Sequence, residues 1–377
     1  MSQQPHPLSV RLRALPAAPA LLGYAAVRLT GVVILAIAAA VTGKDGLHRL
    51  QGRWDAVWYV RIAAHGYGYE VTLPDGSVHS DLAFFPLLPA LERGLSEIVP
   101  AVDTATAGLV IAWVAAFAAA WGVYAVGTHI AGQRAGVLLA VLWGVYPTAF
   151  VQSMAYTETL FTALAAWSLY AVLNGRWIIA GALCALAGLT RPSAAALVAA
   201  IGITAIVDLV RGRPTWRMAA GVLLAPLGWL GYVVFVAVRE GSPTAYFQVQ
   251  AAWGNNIDGG LALARFVGEQ LTGPNPLAGI GLIAALGLLG WAVWLCVRQR
   301  QPLPVLVYGI GIVVISLIGA AYFGSRPRLI MPAFPLLLPP AAALARLRTR
   351  WSVAVTGLLA VASGLYGAFT LLGSGPP

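Results

Sequence analysis

Residues 105–131 read ATAGLVIAWVAAFAAAWGVYAVGTHIA, a run without one aspartate, glutamate, lysine or arginine. It exceeds the ~20 residues that carry a helix across the hydrocarbon core of a bilayer. It has neither the period-2 alternation of a membrane barrel strand nor a polar face, so a buried-in-lipid helix is the structure it specifies. Leu29–Val41 reads the same way. Outward from these two stretches, similar runs recur at 21–42, 134–151, 157–174, 176–190, 192–210, 217–238, 277–297, 303–323, 329–346 and 351–372. With 59% hydrophobic and 10% charged residues, the chain belongs with integral membrane proteins. We expect an all-α polytopic membrane protein of about 11 transmembrane helices (range 9–12), forming a single integral membrane domain over 1–377. The count is open at 176–210, where Leu189-Thr190-Arg191-Pro192-Ser193 reads either as a turn or as a break in one helix.

The net charge of +10 does not point to nucleic acid. Lys44 is the sole lysine among 23 basic residues, and the placement of the arginines says more. With the N-terminus and its Arg11 and Arg13 set in the cytoplasm, Arg134, Arg176, Arg211, Arg213, Arg217, Arg298, Arg300, Arg346, Arg348 and Arg350 fall on the same side. Only Asp208 accompanies them; the other 12 of 13 carboxylates fall opposite, as the positive-inside rule demands. The first span follows Arg11 and Arg13 as a signal peptide would, but its length suits a retained anchor. Arg28, within that span, reads as a snorkelling residue. Cys184 and Cys296 lie in apolar spans and form no disulfide framework.

This topology leaves two long external loops. The first, 43–104, holds eight of the 13 acids, Asp45, Asp55, Glu70, Asp75, Asp81, Glu92, Glu97 and Asp103, and should carry short interfacial helices. Residues 54–65 form one: Trp54, Trp58, Arg61 and His65 share a stripe, with Asp55, Tyr59 and Ile62 beside it. The tryptophans suggest that the helix lies along the membrane surface. Gly66 and Gly68 end it, and Pro74-Asp75-Gly76 signals a turn. Ala83-Phe84-Phe85-Pro86-Leu87-Leu88-Pro89 suits a re-entrant or interfacial segment. The second loop, 239–276, mixes amides and aromatics from Tyr246 to Asn256, which serves either sugar binding or interfacial anchoring. The cytoplasmic side offers no Walker sequence.

Asp55 is the first candidate for chemistry. Ionised at neutral pH, it would take the proton of an acceptor hydroxyl as that oxygen attacks an activated sugar carbon. Its bland reading is a first-turn acid on the helix dipole. No Asp-x-Asp pair is present to hold a divalent metal on a nucleotide diphosphate. A lipid-phosphate sugar, met by arginine alone, is the donor that fits; the missing pair argues against a divalent metal without settling the metal requirement, and no cofactor beyond the donor is called for. Candidate phosphate partners are Arg53, Arg61, Arg191, Arg326 and Arg328; arginines at helix ends otherwise snorkel to headgroups. Glu158, at the mouth of a span, reads as a second carboxylate of the cavity or as a first-turn acid behind a Thr157 cap. His65 and His79 read as surface residues.

Arg53-Trp54-Asp55-Ala56-Val57-Trp58-Tyr59, then Ile62-Ala63, His65-Gly66-Tyr67 and Ala83-Phe84-Phe85-Pro86-Leu87, resemble bacterial relatives of the second mannosyltransferase of GPI-anchor synthesis. These PIG-V-like proteins belong to the GT-C superfamily of membrane glycosyltransferases. The resemblance extends to Ala155–Phe161 and Thr190-Arg191-Pro192-Ser193, and more loosely to Arg328 with Pro332-Ala333-Phe334-Pro335. It covers most of the chain, but only the first block is specific. It implies inverting transfer of mannose from a polyprenyl-phosphate carrier at the external face, with Asp55 as base. Arg53, Trp54, Trp58, Tyr59, Arg61, Glu158, Arg191 and Arg328 are the residues we expect to bind donor phosphate or substrate. Arg191-Pro192-Ser193 departs from the eukaryotic Arg-Ser-Asn, which leaves a lipid, lipoglycan or protein as acceptor. The competing reading is a lipid or solute transporter, or a carrier flippase, which would place ionisable groups near the midplane.

Overall fold

The computed structural model describes residues 16–374 except Asp75 and Ala321; Arg11, Arg13, Asp75 and Pro377 therefore lie outside the described residues. Each apolar stretch becomes helix. The first is α1 (Ala18–Thr42), which Gly43 ends in the left-handed region. The 43–104 loop follows as α2 (Gly46–Gln51), α3 (Asp55–His65), a hairpin of β1 (Glu70–Thr72) and β2 (Val78–Ser80), and α4 (Leu87–Ile98). Glu70 pairs with Ser80 and Thr72 with Val78. The turn between the strands places Gly76 at φ 83°, which glycine adopts without a Cβ clash. Ala83–Pro89 runs from a short 3-10 turn (Asp81–Ala83) into the next helix. Pro86 starts α4, and the buried face of that helix (Leu88, Pro89, Glu92) packs on α5.

α5 (Thr104–Ala131) begins at Asp103, whose Oδ1 accepts the Thr106 N–H at 2.7 Å. α6 (Gln133–Gly144), α7 (Thr157–Leu173), α8 (Trp177–Gly188) and α9 (Ala194–Val210) follow. The 189–193 segment thus separates two helices. Beyond them come α10 (Trp216–Leu224), α11 (Leu227–Arg239), then α12 (Ala245–Ala252) and α13 (Leu261–Thr272) in the second loop. α14 (Pro276–Arg298), α15 (Leu303–Ile318), α16 (Arg326–Ile330), α17 (Leu338–Arg346) and α18 (Thr349–Leu372) complete the bundle.

Among the described residues five helical segments are long and apolar enough to cross a membrane alone, or six if the bent pair at 323–346 (74°) is one span. Four further apolar helices are shorter. The eleven hydrophobic stretches are therefore all helical but unequal in length. α6 shows why. Its 12 residues cover only ~18 Å at the usual rise, yet Leu138–Gly144 are all buried, so neighbouring helices rather than lipid surround it.

The early end of α6 exposes carbonyls inside the bundle, and buried polar groups meet them. Arg28 Nη1 donates to Gly144 O at 3.2 Å and its Nη2 to Ser153 Oγ at 2.6 Å. Gln152 Nε2 donates to Trp143 O at 2.8 Å, while Gln152 Oε1 accepts from Tyr24 Oη at 2.9 Å. Arg28 thus does not snorkel; it turns inward, where a cation favours a helix C-terminus. Elsewhere helices close on small residues. A Cβ at Gly181 would sit 2.2 Å from Gly221 O, so α8 and α10 touch backbone to backbone.

Candidate functional site

Asp55 is the first residue of α3. The chain reaches it through Trp54 at φ 53°, a conformation a bulky residue adopts only when its surroundings impose it. Part of that imposition comes from Tyr156, fully buried, whose Oη accepts the Asp55 N–H at 3.0 Å. A helix leaves its first N–H groups without internal partners, and here a tyrosine from the approach to α7 takes one.

Three further candidates close on Asp55. Arg328 Nη1 donates to Asp55 Oδ2 at 2.7 Å, and Arg328 Nε lies 3.5 Å from Glu158 Oε1. Glu158 Oε1 is in turn 3.0 Å from Arg191 Nη1. Arg191, Arg328 and Glu158 are only 8%, 8% and 2% exposed, whereas the Asp55 side chain is 32% exposed and reaches solvent. Distant sequence supplies each member. Arg191 is delivered by the break between α8 and α9, and the Leu87 N–H donates to Leu189 O at 2.9 Å, tying that break to the start of α4. Arg328 comes from α16, on the near side of the 74° bend. Glu158 occupies the first turn of α7, whose cap residue Tyr156 makes no side-chain cap bond; Thr157 does not cap.

Tyr59, on the next turn of α3 from Asp55, is buried with its Oη 3.4 Å from Thr157 Oγ1. Burial first, then the carboxylates Asp55 and Glu158, hold its phenol above the ordinary range, so it keeps its proton.

The remaining candidates lie apart from this cluster. Arg53 reaches the end of α18, donating to Leu371 O and, at 2.6 Å, to Gly373 O, with its guanidinium 4.1 Å over the Trp54 ring. Arg61 is exposed and stacked 3.3 Å over Tyr69. Trp58 is half-buried in an aromatic cluster. It stacks on Phe84 (5.4 Å) and meets Tyr69 (5.6 Å) and Trp253 (4.9 Å). Arg326 donates to Ser316 O, Leu317 O and Gly319 O, closing the end of α15. His65 is exposed; His79 stacks on Trp253 at 4.3 Å.

The second loop serves the first. Gln250 Nε2 donates to Ala83 O and Trp253 Nε1 to Ser80 O, both at 3.0 Å, so the amides and aromatics read as candidate sugar ligands clamp 80–84. Tyr156 was the residue the sequence reading did not single out. A tyrosine in an apolar run is ordinarily core, and only its place two residues before Glu158 marked it. Among the described residues no group of three or more His, Cys, Asp or Glu is arranged to hold a metal ion.

Two arginines and two carboxylates, mostly buried, can bind an anion and orient a base. Arg191 Nε and Nη1 and Arg328 Nε have no hydrogen-bond partner; Glu158 Oε1 is close to Arg191 Nη1 and Arg328 Nε but off their N–H axes. Buried guanidinium donors left unpaired are costly, and an anion entering the site would satisfy them.

No protein-family model and no curated protein matches the chain in sequence. Solved structures do match in fold. ArnT from Cupriavidus metallidurans bound to undecaprenyl phosphate superposes with a TM-score of 0.54 at 16% identity, covering 87% of this chain and 62% of that one. Its apo state gives 0.52 at 18%, with the same coverage. The Archaeoglobus fulgidus oligosaccharyltransferase with Zn and sulfate gives 0.52 at 15%, covering 91% and 53%. The chain thus spans between half and two thirds of the length of these proteins, and what it shares with them is the polytopic all-α fold.

Proposed function

We propose that the chain is a membrane glycosyltransferase that moves a sugar from a polyprenyl-phosphate carrier to a hydroxyl acceptor. The observation that carries this reading is the single cluster in which Asp55 meets Arg328, and through Glu158, Arg191. Its fold is that of proteins that include one bound to undecaprenyl phosphate, which supports a carrier of this class. The motif resemblance names the sugar as mannose and the family as PIG-V-like. The arginine asymmetry supports a site on the external face and an N-terminus in the cytoplasm.

In this mechanism Arg191 and Arg328 hold the carrier phosphate. Asp55 accepts the acceptor hydroxyl proton while that oxygen bonds to the sugar C1. The C1–O bond to phosphate breaks on the opposite face, and its electron pair stays on the phosphate oxygen, so configuration inverts and polyprenyl phosphate departs. The two guanidiniums supply the positive charge that this leaving group needs, so no divalent metal and no cofactor is invoked. The acceptor is a lipid, lipoglycan or protein hydroxyl at the membrane, and nucleic acid has no part. A transporter or flippase reading gains nothing from Arg28, a cation buried within a span, because helix-end groups engage it.

The test is transfer from polyprenyl-phosphate mannose into a membrane lipid extract by the purified chain and by Asp55→Asn. Transfer by wild type and its loss in the variant is expected. Undiminished transfer by Asp55→Asn would remove the base, and donor movement across vesicles without transfer would favour the transporter.

A further inference from the structure

Glu158 is the one member of the cluster that the proposed reaction leaves without a task. Its Oε1 sits between the arginines, 3.0 Å from Arg191 Nη1 and 3.5 Å from Arg328 Nε, and it is 2% exposed. Its single negative charge offsets part of theirs without saturating them, since three of their nitrogens, Arg191 Nε and Nη1 and Arg328 Nε, make no hydrogen bond. A planar carboxylate approaching off-axis is a poor fit to two guanidiniums. A tetrahedral phosphate, offering oxygens in several directions, fits better. Around Glu158 stand Arg191 from the α8–α9 break, Arg328 from α16, Tyr59 and Asp55 from α3, and Tyr156 before α7.

The charges at the two ends of the reaction differ. The donor is a phosphodiester with one negative charge. The product, polyprenyl phosphate, is a monoester with about −1.5 to −2 at neutral pH. Two buried arginines alone would grip product more tightly than substrate, and turnover would stall at release. A fixed carboxylate between them changes that balance. It competes with either ligand for the arginines and repels the more charged one more strongly, inside a site where such terms are large.

We propose that Glu158 is a release residue, whose carboxylate competes with the carrier phosphate for Arg191 and Arg328 and so expels the doubly charged product. This rests on the polyprenyl-phosphate donor assigned above. It gives Glu158 a task distinct from base or sugar ligand, exercised through the arginines.

The experiment compares undecaprenyl phosphate with undecaprenol, which lacks the phosphate, on the full chain in detergent, as wild type and as Glu158→Gln. Binding is read by titration and by the shift in melting temperature. Glu158→Gln should bind undecaprenyl phosphate about tenfold more tightly. Its binding of undecaprenol should not change. In turnover, product inhibition should strengthen while the donor KM moves far less, and a burst of one sugar per enzyme should precede a slowed steady state.

Equal or weaker binding of undecaprenyl phosphate by the variant would overturn the release role and leave the donor assignment standing. No preference for undecaprenyl phosphate over undecaprenol in either protein would overturn the donor assignment itself. Protection by inorganic phosphate equal to that by the lipid would overturn a lipid carrier as the ligand. Should Glu158→Gln fail to fold, Glu158→Asp, which withdraws the same charge by one methylene, should show the same direction with a smaller gain.

Discussion

Arg328 donates to Asp55 at 2.7 Å across 273 positions of sequence, joining the first turn of α3 to the bent segment near the end of the chain. The same guanidinium lies 3.5 Å from Glu158 and 5.2 Å over the Tyr156 ring. One side chain therefore holds the proposed base, the second carboxylate and the tyrosine that fixes the start of α3. The site exists only when the α16 end of the bundle has closed on the loop.

Arg328→Gln should accordingly destabilise the protein, because it leaves two carboxylates with one arginine. Removing one partner of a buried pair costs about 3–5 kcal/mol. Combining it with Asp55→Asn should recover part of that loss, with a coupling of about 1 kcal/mol or more, without restoring transfer. Thermal unfolding of the four proteins in detergent measures the coupling. Strictly additive losses would mean that the Asp55–Arg328 contact contributes nothing.

Tyr156→Phe removes the acceptor of the Asp55 N–H and nothing of the ring. A lost hydrogen bond of this kind is worth about 1 kcal/mol. Since Tyr156 positions the base and not the phosphate, the expected result is a fall of about fivefold in kcat at constant donor KM. A raised donor KM with normal kcat would place Tyr156 in carrier binding instead.

Much of this was readable beforehand, for identifiable reasons. Apolar runs specify helices by composition alone, so α1, α5 and α14 follow from the sequence. Glu158, Arg191 and Arg328 stand out as polar groups at the ends of apolar spans, and Asp55 as the acid within the Arg53–Tyr59 block of the first external loop. Their convergence was not legible, because it is set by tertiary closure. Arg326 and Arg328 illustrate the point. Two residues apart on one helix, they point to different sides, one to the carbonyls ending α15 and the other to Asp55. Arg28 was misread for a related reason. The apolar run 134–151 hides the place where α6 stops, so nothing in the sequence announced the carbonyls that Arg28 meets.

Gly228 should prove intolerant. A Cβ there would lie 1.8 Å from Ala185 O, a backbone atom that cannot step aside. Gly228→Ala should cost about 1–3 kcal/mol by overpacking the contact of α11 with α8. Activity should fall too, because α11 carries Tyr232, whose Oη donates to Leu82 O and Phe84 O in the first loop, each at 2.8 Å. Gly231→Ala on the same helix meets nothing within 4 Å and should be neutral or mildly stabilising. Equal behaviour of the two variants would contradict the close crossing.

Glu92 sets a pH dependence of stability. It is fully buried on the inner face of α4, with both carboxyl oxygens unpaired and Oε1 against Gly108. Burial pushes its pKa up to about 9 from the ordinary 4.5, so it is neutral in the folded protein at pH 7. The unfolded chain releases this proton near pH 4.5 and the folded chain only near pH 9, so between them the folded state binds the extra proton and stability falls as pH rises. The contribution is harmless below pH 4.5 and worst above pH 9. At pH 8 the penalty amounts to roughly 5 kcal/mol. Glu92→Met keeps the chain length and removes the titration. Its melting temperature should exceed that of wild type at pH 8, with the gap narrowing steadily toward pH 5. Parallel curves across that range would mean that the carboxyl has a partner and ionises in place.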